Sequence, residues 1–578
     1  MNLQSLFNPT QLNGFMLKTS SFLFTEAKQL LFISILWVIL TVIINPYGEF
    51  PFNDDWAYAQ SVKALVETQT FFVSGWTSVN LLVQIGWGAL FCIPFGFSFT
   101  ALRISTLVAG LIGLWGTHRL IYNSTENGQT AFLGTLITLV NPIYLGLSAS
   151  FMTDVPFYSV MVWSLAYMII GLKQDSVQFI LISLALAVIA LLIRQFGIAL
   201  FAGFSVAYLV RKGVQLKSII VAGVSVAMGL GIQVAYQRWL SYMMPGIVSY
   251  NVQASNFFHL SFYKWSLLRR FVNNTFVALM YVGLFMFPYF TIILTRKGLP
   301  AFRKDRWLWL LAVTVVIVMW QTMFDGMSMP IWFNTLSAFG LGPVLVRDIY
   351  YRLYELPMPD ALHVVMIGVT ILSLLGSVII CYHLIQIVRY LIRWSADRVQ
   401  LTIICLLFSI LGIYFFPISL HVVFDRYLLP IPILLLILIY LIQSITSQRT
   451  TERTLPFYLS MGLCVLYLIF SVCITHDYLA WNRVRWQALN EMMQQGIKPT
   501  EIDGGLEFNG WHLYKASYKA VPTRSWWWVQ NDTYVAGASL LPGYELFQQH
   551  KVNTWLPWGI QEIIIGKRKP GGVDVAAN

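Results

Sequence analysis

Charge is what this chain has least of. Asp, Glu, Lys and Arg make up 11% of its 578 residues, against 57% hydrophobic. A soluble chain of that length would form several domains with charges near a quarter of the total. Cysteine is scarce too. The five, Cys92, Cys381, Cys405, Cys464 and Cys473, all lie in or beside apolar runs, which argues against a disulfide framework. A phosphate-binding P-loop and a Gly-x-Gly-x-x-Gly fingerprint are both missing, which weighs against an ATP-driven pump and a cytoplasmic nucleotide-sugar fold. There is no internal repeat, the usual mark of a transporter built from two halves, and no low-complexity segment. No small-residue cleavage site follows the first apolar run, Leu30 to Ile44, so that run reads as a retained signal anchor.

What is present is a series of apolar runs long enough to cross a bilayer as helix. We count about thirteen, near 29–45, 102–122, 129–147, 155–172, 177–193, 196–210, 217–239, 271–295, 307–324, 361–387, 399–416, 428–445 and 455–474. Phe91 to Phe99 looks like a broken or re-entrant piece. The expected fold is therefore an α-helical polytopic membrane protein, with residues 1–474 as the transmembrane module. Residues 475–578 read as a small α/β domain, entered through an amphipathic helix from Tyr478 to Gln495 that stops at Gly496. The net charge of +12 is spread over short loops, as the positive-inside bias places it, and is not a nucleic-acid signal. Sorting the basic loops makes the N-terminus cytoplasmic. An odd span count then puts the C-terminal domain outside, on the face of the first long loop.

That loop carries Asn53-Asp54-Asp55-Trp56-Ala57-Tyr58-Ala59-Gln60 just after the first span. Two adjacent carboxylates are conspicuous in so apolar a chain, although one Asp could be no more than a helix N-cap. Trp56, Ala59, Val62 and Val66 share a helical face, expected to lie along the membrane interface. Asp154, in Met152-Thr153-Asp154-Val155-Pro156, starts a later span on the same side and also suits a cap, with Pro in the first turn. Arg194 and Arg426 interrupt apolar stretches there. Simple snorkelling is the alternative, yet charges at membrane depth are expensive enough to suggest function. Further outer-side polar residues are Asp325, Asn334, Arg347 and Asp348. His421 and Asp425, four apart, offer at most a weak metal pair, and an ordinary hydrogen bond suits them better. Trp526, Trp527 and Trp528 suit a sugar platform or, more simply, a small aromatic core.

A sugar transferase acting on a lipid phosphate needs a base for the acceptor hydroxyl, cations for the leaving phosphate, and a greasy groove. A positioned carboxylate supplies the first. Arginines at the boundary supply the second, and the helix bundle the third. The motifs also carry a resemblance. Asn53 to Ala59 resembles the acidic first-loop motif of the GT-C glycosyltransferases, in the branch of bacterial relatives of the protein O-mannosyltransferases and the lipid A aminoarabinose transferase. Met152 to Pro156 resembles their second acidic motif. Asp425-Arg426-Tyr427-Leu428-Leu429-Pro430, His476 to Asn482 and Ile502-Asp503-Gly504-Gly505 resemble motifs of bacterial members.

The resemblance implies a GT-C fold and an inverting transfer from a polyprenyl-phosphate sugar, on the non-cytoplasmic face of a plasma (inner) membrane. It places catalysis on Asp54, with Asp55 and Asp154 beside it. Members often have Asp-Glu where this chain has Asp-Asp. We assign Arg194 and Arg426 to the donor phosphate. Some members use a divalent metal and others do not, so a metal ion stays open as a cofactor. The acceptor is a protein, lipid or glycan. Competing readings are a transporter or lipid-linked sugar flippase, and a scaffold whose outer tail binds glycans.

Overall fold

The structure is a computed structural model. It describes residues 25–570, apart from 245–264, 295–304, 322–328, 332–334, 343, 355–358, 394–396, 422, 447–453, 519–526 and 530. Asp325, Asn334 and Trp526 therefore lie outside the described residues.

Helices dominate. In chain order they are α1 (Glu26–Ile44), α2 (Asp55–Thr68), α3 (Leu82–Cys92), α4 (Phe99–Thr125), α5 (Gly128–Leu139), α6 (Pro142–Ser148), α7 (Asp154–Gln174), α8 (Val177–Ile193), α9 (Ile198–Lys212), α10 (Leu216–Met243), α11 (Trp265–Phe285), α12 (Phe287–Leu294), α13 (Arg306–Gln321), α14 (Arg347–Tyr350), α15 (Asp360–Arg393), α16 (Arg398–Leu420), α17 (Ile431–Thr446), α18 (Thr454–Gln494) and α19 (Leu506–Leu513). Helix α1 shows why this is a membrane architecture. Ile33, Trp37, Leu40 and Ile44 face inward, while Leu31, Ile35, Val38 and Val42, equally apolar, are exposed on the opposite face. Water would not tolerate that second stripe, and lipid would. Asn45 in the left-handed region and Pro46 after it end the helix.

The expected thirteen spans are not all reached. Eight helices of the described residues are long and apolar enough to cross a membrane, or up to ten if each bent pair is one span. The bends are 63° between α5 and α6 and 71° between α11 and α12. The first falls at Asn141-Pro142, where Asn141 caps the amide of Ile143 and Pro142 lacks the N–H that would continue α5. Of the other three expected spans, α8 and α9 have 17 and 15 residues, and α13 has 16 among the described residues. At 1.5 Å per residue α8 and α9 measure roughly 22–26 Å, short of a hydrocarbon core of about 30 Å. Helices α11 and α15 meet where a Cβ on Gly283 would lie 2.8 Å from the Ser377 nitrogen and one on Gly376 2.4 Å from the Gly283 carbonyl. Such small residues let membrane helices pack closely.

All five cysteines are unpaired. Helix α18 runs unbroken past residue 475 to Gln494, and Gly496 follows at φ +90°. Beyond it, β3 (Ile502–Asp503), β4 (Tyr534–Gly537), β5 (Tyr544–Lys551) and β6 (Glu562–Arg568) form one sheet in the order β3-β4-β6-β5, with β3 and β4 parallel. A two-residue hairpin, β1 (Leu336–Ser337) and β2 (Gly340–Leu341), lies before α14. Asp348 of α14 ties this region to the sheet, accepting the amides of Ala538 and Ser539 at 2.8 Å each.

Helix α2 does not simply lie on the membrane surface. Trp56, Ala59 and Val62 are fully buried, and helix α19 of the C-terminal segment packs on them. Gly510 sits so close to Trp56 that a Cβ would come within 2.4 Å of the indole. The Asp54 loop and the tail are thus in contact, on one side of the bundle.

Candidate active site

The loop before α2 is fastened along its length. Buried Arg103 of α4 donates to the carbonyls of Pro46, Gly48 and Phe50. Glu49 accepts from the Ser98 hydroxyl and the Phe99 amide, both at 2.8 Å, and so caps α4. Burial would raise the Glu49 carboxyl, but those bonds and the ones from Thr100 outweigh it and hold its pKa below the ordinary value. Arg483 of α18 donates to the carbonyls of Asn45 and Tyr47. Such fixing keeps a side chain at the loop's end in one place.

The two adjacent aspartates separate in role. Asp55 turns back into the protein. Its Oδ1 accepts the Phe52 amide at 2.6 Å and its Oδ2 the Phe151 amide at 2.8 Å, which joins the first acidic loop to the second. It is 1% exposed, and burial pushes its carboxyl up to about 7 despite those amides. The Asp54 side chain makes no cap hydrogen bond to α2. Its Oδ1 accepts the Trp76 indole N–H at 2.8 Å, and its Oδ2 lies 3.2 Å from Nη2 of Arg426.

A second ion pair stands beside the first. Asp154, at the start of α7, pairs with Arg194, at the C-terminal end of α8. Each charge is at the helix end whose dipole favours it. The ring of Tyr427 lies between the two arginines, 4.8 Å from the Arg194 guanidinium and 5.4 Å from that of Arg426. Tyr58 of α2 faces both acids and both arginines. Burial, with Asp54 next, holds its phenol well above the ordinary value, so it stays neutral. Four charges from four distant stretches thus form one cluster. Within it, side-chain exposure is 22% for Asp54 but 6% for Arg426, 5% for Arg194 and 3% for Asp154. Asp54 is the most exposed member of the cluster. Nε of Arg426, Nε of Arg194 and Oδ2 of Asp154 are buried without a hydrogen-bond partner. The two Nε–H groups are thus donors left over beside the cluster.

Other candidates have structural work. The Asp425 carboxylate accepts the amides of Thr335, Leu336 and Arg426, the second at 2.6 Å. It thereby pins the β1–β2 hairpin. Among the described residues no group of three His, Cys, Asp or Glu side chains stands ready to hold a metal ion. Arg347 of α14 pairs with Asp532 of the C-terminal segment at 2.5 Å. Asp477 accepts the amides of Trp555 and Leu556, while His476 stacks on Trp555 at 3.6 Å. Sequence reasoning missed Trp76. It lies in an irregular stretch between α2 and α3, where no periodicity marks it.

Comparison with known proteins adds a family. Residues 87–239, which hold Asp154 and Arg194, match the model of the dolichyl-phosphate-mannose-protein mannosyltransferase family. No curated protein matches the chain. A solved structure of ArnT from Cupriavidus metallidurans bound to undecaprenyl phosphate is similar at 14% identity, over 84% of this chain and 85% of that one, with a TM-score of 0.39. An oligosaccharyltransferase from Archaeoglobus fulgidus, in complex with Zn and sulfate, is similar at 12% identity, over 81% of this chain and 55% of that one, with a TM-score of 0.41. The matched stretch contains the Met152 to Pro156 motif, and over those residues this helical membrane protein is similar to the mannosyltransferase family.

Proposed function

We propose that this protein transfers a sugar from a polyprenyl-phosphate donor to an acceptor hydroxyl, on the extracytoplasmic face of the plasma membrane, with inversion. The observation that carries the reading is the meeting of Asp54 with Arg426 at 3.2 Å beside the Asp154–Arg194 pair. The family match supports it, as does the bound undecaprenyl phosphate of the ArnT structure.

In this reading the donor phosphate enters as a diester with one negative charge. Arg426 turns part of its charge from Asp54 to the phosphate, which leaves Oδ2 of Asp54 free to accept the hydroxyl proton of the acceptor. The acceptor oxygen bonds to the anomeric carbon, and the bond from that carbon to the phosphate oxygen breaks. The electron pair leaves with the polyprenyl phosphate, which now carries a second negative charge. Arg426 and Arg194 stabilise that charge where it develops, the term that most lowers such barriers. Asp154 holds Arg194 in place. Asp55 acts at a distance, by keeping the two acidic loops in register. A divalent ion, if one is used, would add a further cation for the leaving phosphate.

The test is turnover by the full chain in proteoliposomes. Undecaprenyl-phosphate sugars carrying mannose, glucose, galactose or 4-amino-4-deoxyarabinose are supplied together with an envelope extract from cells lacking this chain as the source of acceptor, and release of undecaprenyl phosphate is read alongside mass spectrometry of envelope glycans and glycoproteins made with and without this chain. Sugar-dependent release and a missing glycan are expected. Movement of intact donor across the bilayer without cleavage would instead establish a flippase.

A further inference from the structure

The proposed reaction leaves one polar contact unexplained. If Arg426 turns to the donor phosphate, Asp54 keeps a single partner, the Trp76 indole at 2.8 Å. A carboxylate held by one hydrogen bond on one oxygen presents the other in a defined direction. Held by none, it would rotate about its χ angles, and the base would be misplaced for part of every encounter.

The surroundings of Trp76 suit such a task. Trp76 packs against Trp528 with ring centroids 5.1 Å apart at 84°, and against Trp56 at 6.1 Å and Tyr514 at 6.3 Å. Edge-to-face rings of this kind fix one another's orientation. Tyr514 and Trp528 come from the C-terminal segment. Their seat is close enough that a Cβ on Gly75 would stand 2.7 Å from the Tyr514 hydroxyl. On its other side the stretch bearing Trp76 is tied to the backbone beside Arg194. The Leu81 amide donates to the Ile193 carbonyl at 3.1 Å, and Nε2 of Gln195 to the Ser78 carbonyl at 3.0 Å. One short stretch therefore touches the base, the phosphate side and the tail.

We infer that Trp76 is a positioning residue for Asp54, and that the tail aromatics Tyr514 and Trp528 serve the reaction by seating it. The inference rests on the transferase reading and deepens it. The C-terminal segment becomes part of the active site through packing, with no contact of its own to the reacting atoms. A purely structural Trp76 would instead change stability and leave the turnover of the folded fraction alone.

The experiment compares the full-length parent with Trp76→Phe, which keeps a ring but loses the N–H, and with Trp76→His, which keeps a ring N–H. Each is reconstituted in proteoliposomes with the same acceptor extract and the undecaprenyl-phosphate sugar on which the parent is fastest. Folded protein is counted by monodisperse elution and a cooperative melt. Expected for Trp76→Phe is a kcat about tenfold lower with the donor KM within about twofold, and for Trp76→His a recovery of about threefold or more over Trp76→Phe. A kcat for folded Trp76→Phe within twofold of the parent overturns the inference, and so does a Trp76→His variant no faster than Trp76→Phe. Absence of turnover by the parent on every donor sugar overturns the transferase reading, and this inference with it.

Discussion

Replacing Arg426 by Gln separates catalysis from folding more sharply than any other single change. The guanidinium is 6% exposed and 3.2 Å from Asp54. Two unit charges about 4 Å apart interact by about 1 kcal/mol in water and about 4 kcal/mol at an effective dielectric near 20. A nearly buried cation lies toward the upper end, although sharing it with Asp54 lowers the figure. A loss of about 3–4 kcal/mol of transition-state stabilisation is about 10²–10³ in kcat. The substitution leaves Asp54 unpaired, but Asp54 is 22% exposed and keeps the Trp76 N–H, so water absorbs most of the folding cost. Arg194→Gln is the contrast. It strands Asp154, whose side chain is 3% exposed, and loss of one partner of so buried a pair costs about 3–5 kcal/mol of stability. The assay is release of undecaprenyl phosphate from a labelled lipid-linked sugar, with the thermal midpoint of the same detergent-purified samples. Arg426→Gln should be slow and stable, Arg194→Gln unstable. A kcat for Arg426→Gln within fivefold of the parent, at saturating donor, would refute the assignment of Arg426 to the leaving phosphate.

Other outcomes follow from the same contacts. Folding raises the Asp55 carboxyl to about 7 from 3.8, so the native state holds that proton more tightly than the unfolded chain. Its contribution to stability is full below the unfolded value, falls as pH rises from about 4 to 7, and is level above that. Asp55→Asn removes this dependence, so the midpoint difference between the parent and Asp55→Asn should shrink from pH 5 to pH 8; a constant difference would contradict it. Gly510→Ala forces a methyl to within 2.4 Å of Trp56 and should lower the melting midpoint, by an overpacking cost of about 1–3 kcal/mol. Gly86→Ala, with nothing within 4 Å, should be neutral or slightly stabilising. Asp425→Ala leaves the amides of Thr335 and Leu336 without an acceptor, and limited proteolysis should then cut near the β1–β2 hairpin faster than in the parent.

What could be read in advance, and what could not, divides along physical lines. Apolar runs announced the helices, because lipid demands continuous hydrophobicity whatever the helix touches. Their lengths were less legible: α8 and α9 are mostly apolar yet only 17 and 15 residues long. A charge in an apolar stretch flagged Asp54, Asp154, Arg194 and Arg426, since each needs a partner to stay there. Which partner was out of reach. Asp54 and Arg426 are 372 residues apart, and sorting loops by face cannot pair them. Nor could the Asp54-Asp55 doublet reveal that one member points into the cluster and its neighbour at two backbone amides. The tail motifs around His476 and Asp503 lent support to the first acidic loop as motifs of bacterial members. In the fold Asp477 takes the amides of Trp555 and Leu556, and Asp503 accepts from Asn509 at 2.8 Å. Buried hydrogen bonds of that kind leave the same trace in a sequence as chemistry does.

The central claim is that Asp54 is the base, and Asp54→Asn tests it most directly. The variant keeps the shape of the side chain and an acceptor for Trp76 but gives up the negative charge. With the undecaprenyl-phosphate sugar that the parent uses, kcat should fall by about 10²–10⁴, the range of a general base, while donor binding stays within about threefold. Turnover by Asp54→Asn within fivefold of the parent would contradict the account.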